Sequence, residues 1–135
     1  MTVESFDPSQ IDGPGQVERV EALLELAQAQ TTASPDNLEP LASSSQVQQF
    51  ALLATTSEWV KELPEQSGAV LVWLIRYFTL GEAAHASWQA GAKSPVVVLA
   101  RALKAQGAYP SELTGWIKQH SKNRFLPHGS LMDRL

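Results

Sequence analysis

Apolar residues along this chain recur every three or four positions and nowhere in sustained alternation, which predicts helices and no strands. Val17, Val20, Leu24 and Ala27 make the inner stripe of a first helix from about 15 to 30, with Pro14 suited to its opening. Residues 31–42 are rich in turn formers and read as a loop. Ser43–Ser45 then offer an N-cap, and Ser45 with Gln48 has capping-box spacing for a second helix running to about Leu63. Its apolar side comprises Val47, Phe50, Ala51, Ala54, Val60 and Leu63.

The third helix, about 66–90, is apolar nearly all round in its first half, which places it at the centre of the fold. Gly81 costs about 1 kcal/mol against alanine in a helix interior, so a close contact or a kink is expected there. Ser94 and Pro95 cap and open a fourth helix over 95–106, with Val96, Leu99, Ala100 and Leu103 inward and Gly107 as its stop. Pro110 and Ser111 start a fifth, ending near Lys122, with Leu113, Trp116, Ile117 and His120 on one stripe. The expectation is one all-α domain of about five helices: an arm over 1–14, a bundle over 15–122 and an irregular apolar tail over 123–135.

Composition narrows the function classes. The absence of cysteine removes disulfides, thiolate metal sites and cysteine nucleophiles, and fits a reducing cytoplasm. The acidic start of the chain lacks the pattern of a secretory leader, and the apolar run Ala69–Ile75 is far short of the roughly 20 residues of a membrane span. A cytoplasmic protein with no membrane contact is therefore expected. Net charge is −4, split into −9 for residues 1–66 and +5 for 67–135. Either the two halves pack and neutralise each other, which is the plainer account, or the basic half meets an acidic partner.

Candidate chemistry is sparse. Gly107-Ala108-Tyr109-Pro110 joins two helices with the length of a helix-turn-helix, and Lys118, Lys122 and Arg124 suit phosphates. Glu112 stands where a recognition helix would read bases, so nucleic acid ranks second among partners. Glu82 and His85 form a single E-x-x-H pair, whereas di-iron bundles need two with further glutamates, and the pair is placed on the polar side of its helix. His120 is read as a core-edge residue bonded to backbone, and His128 beside Ser130 lacks an orienting acid. No motif for a catalytic site, metal or cofactor occurs, so no enzyme activity and no cofactor are expected.

Two features remain. Arg76 lies in the most apolar stretch and needs an anion, because an unpaired buried charge costs several kcal/mol. Glu58 or Glu62 would make it a structural ion pair. An aromatic pocket of Trp73, Tyr77 and Trp88 would instead make it the anchor of a ligand anion. The tail carries Phe125, Leu126, Leu131, Met132 and Leu135, which either pack on the bundle or dock on another chain. A non-enzymatic interaction or adaptor protein, self-association as a homodimer included, is the leading reading. Nucleic-acid binding is the alternative, and a ligand-binding bundle around Arg76 the third.

Overall fold

The computed structural model describes residues 16–33, 39–123 and 125–127, and all regular structure among them is helical. The helices are α1 (Gln16–Ala33), α2 (Ser44–Gln49), α3 (Ala51–Ala54), α4 (Glu58–Lys61), α5 (Gly68–Ala84), α6 (Pro95–Ala105) and α7 (Leu113–His120). Two 3-10 turns, Ala86–Trp88 and Gly91–Lys93, bridge α5 to α6. The arm expected over 1–14 lies outside the described residues.

Helix α5 is the axis, as its pattern requires. Leu71, Leu74, Ile75, Tyr77 and Phe78 are all buried, and α5 packs on α6, α1, α7 and the first 3-10 turn. Ser67 caps it through the Val70 amide. It ends earlier than expected, at Ala84, because His85 turns extended and the chain folds back. That reversal brings Trp88 against Gly81, where an added Cβ would clash with Cε3 and Cζ3 at the edge of the indole ring. Helix α6 follows its sequence pattern closely. Val96, Leu99, Ala100 and Leu103 are buried, Ser94 caps the Val96 amide, and Gly107 leaves the helix at φ +70°.

The expected second helix is instead three short ones. Thr55 and Thr56 turn their hydroxyls onto the Ala51 and Leu52 carbonyls, which competes with helix propagation. The Trp59 indole N–H donates to the Leu53 carbonyl at 2.8 Å, satisfying a group that the break releases. The capping box sits two residues earlier than the spacing at Ser45 indicated, on Ser43 and Gln46. Gln46 is favoured there because its Oε1 also accepts from the Tyr77 hydroxyl at 2.7 Å, tying α2 to α5.

Helix α1 turns a partly different stripe inward. Ala27 is buried as expected, Leu23 is buried beside it, Val20 and Leu24 are partly buried, and Val17 is 68% exposed. The consecutive apolar residues at 22–24 and 26–27 give the helix no single centre to its apolar arc, and contact with α3 and α5 selects 23 and 27.

Candidate functional site

Arg76 sits on the side of α5 away from the deepest core, and its surroundings differ from both expectations. Glu58 pairs locally with Lys61 at 3.5 Å, so it is not the partner of Arg76. The guanidinium instead lies over the Trp116 ring, 5.7 Å from its centroid. Burial lowers its pKa, and the charge of Glu112, at the start of α7, offsets part of that effect. Among the described residues Arg76 makes no ion pair. Its Nε is buried with no hydrogen-bond partner among those residues, and so is the indole nitrogen of Trp73, one turn away.

A solvent-open cleft of about 320 Å³ runs beside these two residues. Gly68, Ala69, Val72, Trp73 and Arg76 of α5 form one wall, with Thr31 of α1 and Ala108 completing it. Trp73 also borders a smaller cleft of about 220 Å³ lined by Pro40, Leu41, Gln46 and Tyr77. The two clefts thus adjoin across one indole. The wall is mostly apolar with one cation, the composition of a site for a carboxylate on an apolar stem.

The aromatic pocket expected around Arg76 is not assembled as such. Trp73 stacks on Tyr77 with ring centroids 4.6 Å apart, but Trp88 is fully buried and does not line the cleft. Its N–H donates to the Val47 carbonyl at 2.8 Å, and its ring meets Tyr77 edge-on, so it belongs to the core. Burial of the Tyr77 hydroxyl raises its pKa.

A second polar centre lies further along α5. Glu82 is 3% exposed, which corrects its expected place on the polar side of the helix. One carboxylate oxygen accepts from the Ser94 hydroxyl and the other from Asn123 Nδ2 at 3.1 Å. Burial pushes its pKa up to about 7, with the Ser94 and Asn123 hydrogen bonds pulling the other way. The buried stripe through Leu71, Leu74, Ile75 and Phe78 continues to position 82 at helical spacing, which was the available signal. His85 is half-buried and meets Trp88 edge-on, so the E-x-x-H pair does not converge. Among the described residues no cluster of histidine, aspartate or glutamate has the makings of a metal site.

The other candidates divide. Leu126 is fully buried in the core and Phe125 half-buried, so this start of the tail packs on its own bundle and Leu126 is not open to a partner. Leu131, Met132 and Leu135 lie outside the described residues, as does Arg124. Lys118 is half-buried on α7, and Lys122 is exposed beside the Glu82 cleft. His120 bonds the Trp116 carbonyl at 2.8 Å and stacks on its ring, as read from its stripe. No described helix is long and apolar enough to cross a membrane. Comparison of the chain with protein families, curated proteins and solved structures finds no match.

Proposed function

We propose that this chain is a non-enzymatic binding module that seats an acidic group of a protein partner in the Arg76 cleft. One observation supports the reading: two neighbouring donors, Arg76 Nε and Trp73 Nε1, are buried without an acceptor among the described residues, beside an open cleft. A buried donor left unpaired costs about 1–3 kcal/mol, and a desolvated cation costs more. An arriving carboxylate would offset both costs, whereas an apolar ligand would offset neither. The apolar lining favours a carboxylate carried on an aliphatic or aromatic stem, such as an acidic side chain flanked by apolar residues. The cytoplasmic setting and homodimerisation remain parts of this proposal.

The test is a titration of labelled protein with isovalerate and with its neutral amide, read at the Trp73 indole N–H resonance. Isovalerate should shift that resonance saturably, the amide should not, and Arg76→Met should abolish the response. Absence of any shift, or an equal shift in Arg76→Met, would sink the reading. Nucleic acid is less well served, because Glu112 stands at the start of α7 and Lys118 is half-buried.

A further inference from the structure

The Arg76 cleft and the segment before α1 are complementary in charge. Among the described residues that line the cleft, Arg76 is the one cation and none is an acid. Residues 1–15 carry Glu4, Asp7 and Asp12 and no lysine or arginine. Helix α1 connects the two, since it continues that segment from Gln16 and borders the cleft with Thr31 in its last turn. Gln16 and Thr31 lie about 22 Å apart along the axis, at about 1.5 Å per helical residue.

Reach selects among the three acids. An extended chain covers at most about 3.5 Å per residue, so Asp12, four residues before Gln16, reaches about 14 Å and falls short. Asp7, nine residues before Gln16, reaches about 32 Å and spans the helix with slack. Glu4 reaches further still, but it has Val3 on one side and Ser5 on the other. Asp7 has an apolar neighbour on each side, Phe6 and Pro8. An acid between apolar groups suits a wall of Ala69, Val72 and Ala108 beside two buried donors.

We infer, on the reading of this cleft as a carboxylate site, that residues 1–15 carry a built-in competitor for it. The Asp7 carboxylate takes the place of a partner's acid beside Arg76 and Trp73, with Phe6 and Pro8 against the apolar wall. A tethered acid faces the cleft at an effective concentration of order millimolar, whatever the protein concentration. A lone carboxylate in solution must compete with it, while a partner that adds contacts outside the cleft displaces it. The segment therefore sets a threshold that favours partners engaging more than the anion position. A second copy of the chain delivers the same acid only in proportion to its concentration, so dilution separates the two sources.

The chain has no cysteine, so Ser9→Cys accepts a single nitroxide label two residues from Asp7. In the full chain that label should broaden the Trp73 indole N–H resonance. Excess isovalerate, or Asp7→Asn, should remove the broadening. Without the label, Asp7→Asn should bind isovalerate about twofold or more tighter than the wild type, as release from a millimolar competitor requires. No broadening, broadening that persists in Asp7→Asn, or equal isovalerate affinity in the two proteins overturns the competitor and leaves the carboxylate reading of the cleft intact. Broadening that fades on dilution assigns the contact to a second copy and overturns it as well. Relief by Asp36→Asn in place of Asp7→Asn gives the role to another acid, with the same result. An Asp7→Asn protein with no isovalerate response at all overturns the reading of the cleft itself, and the competitor with it.

Discussion

The Cε3–Cζ3 edge of the Trp88 ring lies too close to Gly81 to admit a Cβ there, so Gly81 and Trp88 fit only as a pair. Gly81→Ala gains up to about 1 kcal/mol of helix propensity. It must then displace a fully buried indole, and overpacking of that kind costs about 1–3 kcal/mol or more. The expected outcome is a net loss of stability, measured as a lower urea midpoint. An unchanged or raised midpoint would show that the ring moves aside freely.

Trp73 and Trp88 are both buried tryptophans, but only one uses its N–H. Replacing either with phenylalanine removes a similar area. Trp88→Phe also leaves the Val47 carbonyl without its donor, while Trp73→Phe deletes an N–H that has no acceptor. The former should therefore be less stable than the latter by about 1–3 kcal/mol. Chemical denaturation of the two variants side by side decides the point.

Stability should depend on pH through Glu82. Its pKa rises from 4.5 to about 7 on folding, so the folded state binds more protons than the unfolded state between those values. Unfolding free energy then decreases as pH rises through this window and levels off above it. Full coupling bounds the decrease at about 3 kcal/mol. Urea unfolding at pH 5 and pH 8 should show the decrease in the wild type and its loss in Glu82→Gln.

Leu126 is fully buried although it follows α7 in a stretch without regular structure. Leu126→Ala should cost about 2–5 kcal/mol, the range for a leucine deleted from a packed core. A cost below about 1 kcal/mol would mean that the segment covers the core without contributing to it.

How far these features could be read from sequence varied with how local their causes are. Helix α6 was legible from end to end because Ser94, Pro95, its apolar stripe and Gly107 act within one helix. The break at Thr55 and Thr56 was not, since those residues also occur inside helices and the outcome rests on where their hydroxyls turn. Ser43–Gln46 and Ser45–Gln48 have identical spacing, and the choice between them was made by Tyr77, thirty-one residues from Gln46. At the candidate site, Arg76 and Trp73 were legible as an isolated cation and a neighbouring ring. The influence of Glu112 and the removal of Trp88 into the core depend on chain reversals that local pattern does not encode.

The hydrogen bonds that close this bundle have a consequence for its synthesis. Trp88 reaches back 41 residues to Val47, and Asn123 reaches back 41 residues to Glu82. As the chain leaves the ribosome, α1 to α5 emerge before the segments that cover their apolar faces. The central helix must wait for residue 126 before its surroundings are complete. Nascent chains arrested before that point should be open to protease and to chaperones. Those long enough to expose residue 126 should gain protection in a single step.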